Sequence, residues 1–423
     1  MTHTLIHNGT LIDGTGAAPV PNGAVLLHDD RIAAAGRLDA LPRPAGTLVE
    51  IDAQGGTILP GLIDAHVHMT MQNDGMMKHA TTPFSLNFYL AVRYLRRTLD
   101  AGITTVRDAG GADLGLKRAL EMGLVEGPRM QISITPLSIT GGHLDFWLPS
   151  GQTLGLFTPH PGLPSGICDG VDEVRRKVRE VLRAGAEVIK VCSTGGVLSP
   201  TDHPAFTQFT PEELGVMVQE GAYRRGVKVM AHAQGAEGIK NAIRAGIHSI
   251  EHGIYLDEEA IELMLARGTF LVPTLLAPQA VIEQAEQTGT ISEWALRKSK
   301  EVLQAHRDSI RQAHKAGVKI AMGTDAGVMP HGTNLRELGL MCAHAGMSPM
   351  EAIVATTRTA AECLGWQDRV GTLEAGKLGD VTVTSVDPLA DIRSLTPETI
   401  RVVIQSGRVV KGESLGFPRS DRS

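Results

Sequence analysis

Aromatic residues and cysteines are both scarce in this sequence. Trp, Tyr and Phe make up 4% of the 423 residues and are outnumbered by 16 histidines, the residue type that most often binds metal. The cysteines lie far apart and form no C-x-x-C pair, which argues against a disulfide framework and a zinc–thiolate site. This usage agrees with a reducing compartment, and we expect a cytoplasmic protein. The cysteines are Cys168, Cys192, Cys342 and Cys363.

The chain also lacks an excess of positive charge and long apolar runs. It carries 40 Lys and Arg against 46 Asp and Glu, so we expect neither a nucleic-acid nor a membrane partner. No run approaches about 18 apolar residues, and Met1 to Ile6 show no basic stretch ahead of an apolar one. We therefore expect no membrane span and no secretory signal. A hydrophobic content of 42% is enough for a large core.

Both ends of the chain are patterned as short strands. Asn8-Gly9 predicts a two-residue hairpin, and Asp29-Asp30 predicts a second turn. Near the other end, Ser406-Gly407 joins two more strand-like runs. Neither end is long enough for a core of its own. We predict that residues 1–58 and 367–423 pair into one small β-sandwich domain.

The middle of the chain alternates strand-like and helical patterns. Amphipathic stretches such as 172–184 and 292–316 separate the strand-like runs, and a glycine often closes a helix just before the next strand. Eight such units favour an α/β fold with a (β/α)8 TIM barrel over a doubly wound sheet. We predict this catalytic barrel over residues 59–366. Its strands are expected at 58–68, 104–108, 130–135, 188–193, 227–232, 249–252, 270–274 and 319–324.

Polar side chains fall at or near the ends of five of these predicted strands. In such a barrel the chemistry lies at the carboxyl ends of the strands, and residues i and i+2 of a strand face the same side. Each residue alone has an ordinary explanation, such as a satisfied core histidine, a snorkelling lysine or a helix N-cap. Their joint placement at one mouth predicts a site. The set consists of His66, His68, Lys190, His232, His252 and Asp325.

The chemistry of this set points to metal ions. Imidazole and carboxylate groups suit Zn²⁺ and its neighbours, and we expect zinc. A lysine cannot ligate a metal as an ammonium ion. Beside divalent ions, Lys190 must lose its proton or be modified, and a carbamylated lysine would supply a bridging carboxylate.

Motifs across nearly the whole chain resemble those of the amidohydrolase superfamily. They are Pro60-Gly61-Leu62-Ile63-Asp64-Ala65-His66-Val67-His68, Lys190, Ala231-His232-Ala233, Glu251-His252-Gly253, Gly323-Thr324-Asp325-Ala326 and Gly376-Lys377-Leu378-Gly379-Asp380. The resemblance implies two divalent metal ions bridged by carboxylated Lys190 and a hydroxide. His66, His68 and Asp325 would bind one ion, and His232 and His252 the other. Asp325 would be the catalytic base that takes the proton of the attacking hydroxide and returns it, as an acid, to the leaving amine.

The loops narrow the resemblance to one branch of the superfamily. Its deaminases typically have one metal, no bridging lysine and a Glu soon after the fifth-strand histidine. Here Lys190 is present, and Ala233-Gln234-Gly235 follows His232. Thr140-Gly141-Gly142-His143, Ser193-Thr194-Gly195-Gly196-Val197 and His252-Gly253-Ile254-Tyr255-Leu256 look like loops of prolidase-like dipeptidases and carboxypeptidases, and of amidohydrolases that cleave ochratoxin, an N-acylated phenylalanine. We expect a hydrolase of the amide bond before a C-terminal amino acid, in dipeptides or N-acyl amino acids.

Two other functions stay open at this point. A cyclic amide hydrolase of the imidazolonepropionase or hydantoinase type is the alternative enzyme. A barrel kept only as a scaffold is disfavoured because every ligand position is filled. Relatives in this branch often form multimers, so we expect a homo-oligomer.

Four loop residues are candidates for holding the small-molecule substrate. His143 is expected to donate to a carbonyl oxygen or pair with a carboxylate, and Tyr255 to hydrogen-bond the oxyanion or the carboxylate. The alternatives are a histidine bonded to backbone and plain packing. Val197 and Leu198 are expected to line a side-chain pocket. The Gly- and Pro-rich segment 141–170 is too long for an ordinary loop and is expected to be a lid or a subunit contact.

The remaining polar residues are expected to be structural. Arg107 and Asp108 end the predicted second strand, with carboxylate binding by Arg107 as the alternative. His79, His160, His203, His331 and His344 fit no ligand spacing, and surface loops are expected for three of them, His160, His203 and His331, which follow predicted strands.

Overall fold

The computed structural model describes residues 2–73, 75–148 and 150–412, and it contains one mixed sheet and two parallel sheets within them. The strands are β1 (Thr2–Leu11), β2 (Val20–His28), β3 (Arg31–Arg37), β4 (Thr47–Asp52), β5 (Thr57–Pro60), β6 (Leu62–Val67), β7 (Ile103–Asp108), β8 (Arg129–Ile132), β9 (Val188–Cys192), β10 (Lys228–Ala233), β11 (Ser249–His252), β12 (Phe270–Val272), β13 (Val381–Thr384), β14 (Ile400–Gln405) and β15 (Arg408–Lys411). The α-helices are α1 (Met76–Thr81), α2 (Leu86–Asp100), α3 (Leu114–Glu121), α4 (Val171–Ala184), α5 (Pro211–Tyr223), α6 (Ala236–Ala245), α7 (Glu258–Arg267), α8 (Leu276–Thr288), α9 (Glu293–Ala316), α10 (Arg336–Leu340), α11 (Pro349–Ala355) and α12 (Arg358–Leu364).

The mixed sheet joins the two ends of the chain. Its order is β15-β14-β13-β5-β1-β2-β3, with β4 pairing parallel with β1. The joint is the antiparallel pair β5–β13, in which Pro60 lies opposite Val381. Alternate residues of these strands form an apolar core of their own. The strand that leads directly into β6 is therefore held by a strand from the far end of the chain; residues 413–423 of the predicted domain lie outside the described residues.

The predicted hairpin at Asn8-Gly9 is wrong. The strand β1 continues through both residues, and its register with β2 shifts between Ile6 and Gly9 while Asn8 takes a φ of 60°. The reason is that β4 pairs with the first half of β1 and β5 with the second, so the chain stays extended and the turn-forming pair makes a bulge. The other two predicted turns are confirmed, since β2–β3 and β14–β15 are antiparallel neighbours.

The middle of the chain forms the parallel sheets β6-β7-β8 and β12-β11-β10-β9. Isolated parallel bridges lie beside their edges, at Leu137–Val191, Leu271–Ile320 and Val67–Ala326. The predicted α/β class is thus confirmed. The predicted strand at 319–324 is wrong as a regular strand, because only residue 320 makes a bridge there, although backbone hydrogen bonds join the segment to residues 65 and 271.

The helices cover the parallel sheets with apolar faces. In α4 the buried residues Val174, Val178 and Val181 repeat at the spacing of one helix face, as predicted for this amphipathic stretch. Thr210 caps α5, where its side chain and that of Glu213 satisfy each other's backbone N–H groups. Within the part of the chain that the structure describes, no helix is both long and apolar enough to cross a membrane.

Candidate metal centre

A cavity of about 80 Å³ brings most of the predicted site residues together. Tyr255 is not among the described residues that line it; this side chain packs against Val197, Ile254 and Val302. Its role in substrate binding stays a prediction. The predicted residues that do line the cavity are His66, His68, His143, Lys190, Val197, Leu198, His232, His252 and Asp325.

His66, His68 and Asp325 form the tightest group in this cavity. They offer one ligand atom each, and these atoms lie within 4.8 Å of one another. Asp325 Oδ1 is 3.4 Å from Nε2 of His66 and 3.3 Å from Nε2 of His68, and it has no hydrogen-bond partner among the described residues. Burial alone would raise the pKa of Asp325, but the two imidazoles hold it well below its usual range. A carboxylate oxygen without a donor, facing two imidazoles, fits a divalent metal ion.

Each of the four histidines that are candidate metal ligands has one ring nitrogen hydrogen-bonded to a group outside the cluster. Such a bond orients the ring and directs the other nitrogen to a metal. The pairs are His66 Nδ1 with Glu251 Oε2 at 2.7 Å, His68 Nδ1 with the Gly110 carbonyl oxygen at 2.9 Å, His232 Nε2 with the Gly195 carbonyl oxygen at 3.0 Å, and His252 Nδ1 with Thr274 Oγ1 at 2.7 Å.

Lys190 lies buried in β9, on the same cavity as these histidines. Burial lowers the pKa of its ammonium group, because a charged amine is poorly solvated there. Burial likewise holds the pKa values of His232 and His252 well below the ordinary value, and their rings lie 4.6 Å apart. Neutral imidazole is the form that binds metals. The cavity therefore disfavours protonated side chains and suits the binding of a metal cation.

The backbone is strained at two of the candidate metal ligands. His252 has a φ of 74° and Asp325 a φ of 64°, a left-handed conformation that costs a non-glycine residue on the order of 1–3 kcal/mol. Alternation along β11 would place Glu251 and His252 on opposite faces. The left-handed turn at His252 lets it line the cavity while its neighbour Glu251 still contacts His66.

Glu251 is a buried neighbour of the candidate ligand His66 whose role sequence reasoning missed. Its other oxygen accepts a hydrogen bond from Arg107 Nη2 at 2.9 Å, and both side chains are fully buried. Burial alone would raise the pKa of Glu251, but the charge of Arg107 and the bond with His66 lower it to about 2. Arg107 thus has the structural role expected of it. The available clue was the Glu directly before His252.

His331 and Asp108 are both buried. The surface position predicted for His331 is wrong: the residue is buried, its ring stacks on Tyr94 at 4.6 Å, and Nε2 donates to the Met71 carbonyl oxygen. Asp108 accepts backbone hydrogen bonds from Met69 and Gly110, which is a structural role as expected.

The cavity lined by the candidate metal ligands is called the metal cavity. A second cavity, of about 540 Å³, adjoins it. Met71, Leu156 and Leu198 line both, so the two spaces meet at these side chains. The walls of the second cavity are mainly apolar and include Phe146. Asn73 Nδ2 lies buried there without a hydrogen-bond partner among the described residues. The second cavity has room for a bulky apolar group.

Known proteins resemble this chain in both sequence and fold. A family model described as "Amidohydrolase family" matches residues 57–410. Ochratoxinase from Aspergillus niger is 38% identical over 98% of this chain and 88% of its own length, and an imidazolonepropionase from Geobacillus kaustophilus is 27% identical over 92% and 90%. A solved Xaa-Pro dipeptidase with methionine in its active site matches with a TM-score of 0.86 at 35% identity, covering 97% of this chain and all 100% of that one. A prolidase complexed with N-methylphosphonate-L-proline gives a TM-score of 0.88 at 34% identity with coverages of 97% and 100%.

Proposed function

The chain belongs to the amidohydrolase family and is a hydrolase of amide bonds, and we propose that it cleaves the bond before a C-terminal amino acid in dipeptides or N-acyl amino acids, including ochratoxin-like N-acyl phenylalanine. The observation that carries the proposal is the buried group of His66, His68 and Asp325, with Asp325 Oδ1 unpartnered. The similarity to ochratoxinase and to prolidase-like structures supports this substrate class over other amides.

In this proposal the cavity holds two divalent metal ions, zinc by our expectation. His66, His68 and Asp325 would hold one ion, His232 and His252 the other, and carboxylated Lys190 would bridge them. Such ions supply Lewis-acid polarisation of a carbonyl and make water a better nucleophile. Lys190 suits carboxylation because its buried amine is disfavoured in the charged form, and only a neutral amine adds to CO₂.

Asp325 is the proposed general base and acid. As a carboxylate it would accept the proton of the attacking hydroxide through the oxygen that does not bind the metal, and as a carboxylic acid it would then donate this proton to the leaving nitrogen. His66 and His68 hold the pKa of Asp325 low, so the carboxylate form is ready for the first step.

His143, Val197 and Leu198 are the proposed substrate contacts in the metal cavity, with Tyr255 nearby behind Val197. We assign the amino-acid side chain of the substrate to the apolar wall of Val197 and Leu198. The acyl group would extend past Leu198 into the second cavity, whose 540 Å³ supports a large acyl group.

The proposed architecture is a closed barrel joined to a small β domain. We propose that the two parallel sheets and the segment around Ile320 close into the eight-stranded catalytic barrel of residues 59–366, which the parallel bridges beside their edges support. Residues 1–58 and 367–423 would form the small β domain, whose described strands share one sheet. Assembly of several copies stays a prediction.

A substrate panel tests the proposed activity. Zinc-loaded protein is incubated with dipeptides, N-acyl amino acids and cyclic amides, and free amino acid is quantified. We expect release from N-acyl amino acids or dipeptides and loss of release after chelation of the metal. Opening of a cyclic amide without amino-acid release would favour the imidazolonepropionase-type alternative, which the 27% identical relative keeps in consideration.

A further inference from the structure

A buried cluster behind His143 connects this residue to helix α9. Lys298 Nζ donates to the backbone carbonyl oxygens of Gly196 at 2.9 Å, Ser199 at 2.9 Å and Asp202 at 2.6 Å, and lies 3.4 Å from Asp202 Oδ1. Ser199, Asp202 and Lys298 are all at least nine-tenths buried. The lysine therefore fixes the loop that carries Ser199 and Asp202.

The hydrogen bonds in this cluster determine which nitrogen of His143 carries a hydrogen. Ser199 Oγ has a single hydrogen, and its two acceptors here are the Asp202 carboxylate and the Gly196 carbonyl oxygen at 3.3 Å. The Asp202 carboxylate makes the closest contact and can only accept, so it takes the Ser199 hydrogen, and Ser199 Oγ accepts from His143 Nδ1 at 2.9 Å. Asp202 Oδ2 lies 3.5 Å from the same nitrogen. Nδ1 of His143 therefore bears the hydrogen.

The ring plane of His143 is held as firmly as its Nδ1 atom. One face stacks on His232, with centroids 4.2 Å apart and planes 18° apart. Gly196 lies so near the ring that a Cβ built on Gly196 would approach its Cε1 to 2.2 Å. Nε2 has no hydrogen bond with any described residue, and His143 lines the metal cavity. Of the two ring nitrogens, Nε2 is therefore the one left to meet a ligand.

We propose that Ser199 and Asp202, anchored by Lys298, are positioning residues that lock His143 with Nδ1–H turned to the loop and Nε2 presented to the substrate's amide group. The consequence for catalysis rests on the proposed function, because it needs an amide substrate in the cavity. The lock itself is a property of the folded chain.

A double-mutant cycle tests the positioning role. We expect Ser199→Ala to lower kcat/KM by about 10- to 100-fold with unchanged metal content, because a misplaced contact loses most of its effect. Ser199→Thr, which keeps the hydroxyl, should recover most of the loss. In a His143→Ala background, Ser199→Ala should change kcat/KM by less than about twofold. Equal losses in both backgrounds would overturn the proposal. Ser299→Ala removes a buried hydroxyl without a partner among the described residues and serves as the control.

A spectroscopic measurement separates this inference from the proposed function. The protein is labelled with ¹⁵N-histidine, and the His143 resonances are assigned by their absence from His143→Ala. We expect Nδ1 to be protonated in the wild type whether or not any amide is cleaved. A protonated Nδ1 in a protein that cleaves no amide would count against the proposed function alone. An unprotonated Nδ1 in an active amidase would overturn the positioning inference alone.

Discussion

Nδ1 of His66 donates a hydrogen bond to Oε2 of Glu251 across 2.7 Å, between two side chains that are almost completely buried. The bond fixes the ring so that Nε2 faces Asp325. It also places the negative charge of Glu251 behind His66, which makes Nε2 of this proposed metal ligand bind a metal more strongly. Glu251 is itself held by Arg107. The metal cavity therefore depends on a buried ion pair that contributes no ligand of its own.

Glu251→Gln should weaken metal binding. The amide is a poorer acceptor for His66 and leaves Arg107 buried without its counter-charge, so we expect about 10- to 100-fold lower metal affinity and a loss of about 3–5 kcal/mol in unfolding free energy. Chelator competition and chemical unfolding measure the two effects. Glu220→Gln is the matched control, because Glu220 is also a buried carboxylate paired with arginines, Arg175 and Arg179. Equal metal affinity in both variants would contradict the prediction.

Asp325→Asn should remove most of the activity. An amide cannot accept the proton, and general acid–base catalysis is worth about 10²- to 10⁴-fold, so we expect a fall of this size in kcat. Metal content should stay near that of the wild type because the amide oxygen and the four histidines remain. Steady-state assays and elemental analysis check the two parts, with Asp380→Asn, remote from the cavity and paired with Arg129, as the control. Near-normal turnover would show that Asp325 is not the base.

Lys190 should carry a carboxyl group. Addition of CO₂ to the neutral amine forms a carbamate and releases a proton, and a metal on either side would stabilise the anion. Protein prepared with ¹³C-bicarbonate should show one carbamate resonance that Lys190→Met lacks, and this variant should lose about half of the bound metal. Lys240→Met is the control, since Lys240 is a lysine of low exposure outside the metal cavity that bonds to Asp257 and Glu259. A wild type with full metal and no carbamate would disprove the prediction.

Glu337 should make stability depend on pH. It belongs to α10, and its fully buried side chain reaches the start of α8, where its oxygens accept hydrogen bonds from the backbone N–H groups of Leu275 and Leu276. Burial raises its pKa from 4.5 to about 8. Between these values the folded chain holds a proton that the unfolded chain has lost. Its contribution to unfolding free energy therefore falls as pH rises through this window, by at most about 1.4 kcal/mol per pH unit, and levels off above pH 8.

Comparison of wild type with Glu337→Gln isolates this contribution. Unfolding of the metal-free proteins is measured from pH 5 to pH 9. We expect the stability of the variant relative to wild type to increase up to about pH 8 and then to stay level. Glu362→Gln, which removes a partly exposed carboxylate beside Lys319, should show no such trend. A difference between wild type and Glu337→Gln that does not change with pH would contradict the prediction.

Ile291→Trp should narrow the substrate range. Ile291 lines the second cavity and not the metal cavity, so a larger side chain takes space only from the proposed acyl group. We expect kcat/KM for N-naphthoyl-phenylalanine to fall by about tenfold or more, with N-acetyl-phenylalanine unaffected. The ratio of the two rates measured on one protein preparation is the readout. A parallel loss for both substrates would place the acyl group elsewhere.

The sequence was informative where local pattern and position coincide. His66 and His68 were found because a regular strand places i and i+2 on one side, and Lys190 because a lone charge stood in a buried apolar run. The bulge at Asn8 could not be foreseen, because it depends on two strands that pair with β1 only after folding. The irregular backbone of residues 321–324, just before Asp325, could not be foreseen from the sequence either.

The residues that orient the ligands were missed for a related reason. Glu251 lies 185 positions from His66, and Lys298 lies 96 positions from Asp202, so no motif spacing joins them. Each looks like an ordinary charged residue until the fold buries it. Ligands that repeat at strand ends leave a pattern in the sequence, whereas the groups that hold them are selected by burial, and the trace that Glu251 leaves is its place directly before His252.

The pairing of β5 with β13 sets an order of events during protein synthesis. Thr57 Oγ1 donates to the Val386 carbonyl oxygen, a bond between residues 329 positions apart. At about 5–20 residues per second a ribosome needs roughly 15 to 65 seconds to make the intervening chain. Throughout that time the strand leading into the first two histidines has an open edge, which is a site for mispairing and for chaperones. A chain cut short before β13 would contain every proposed metal ligand and still lack the strand that holds the first pair in place.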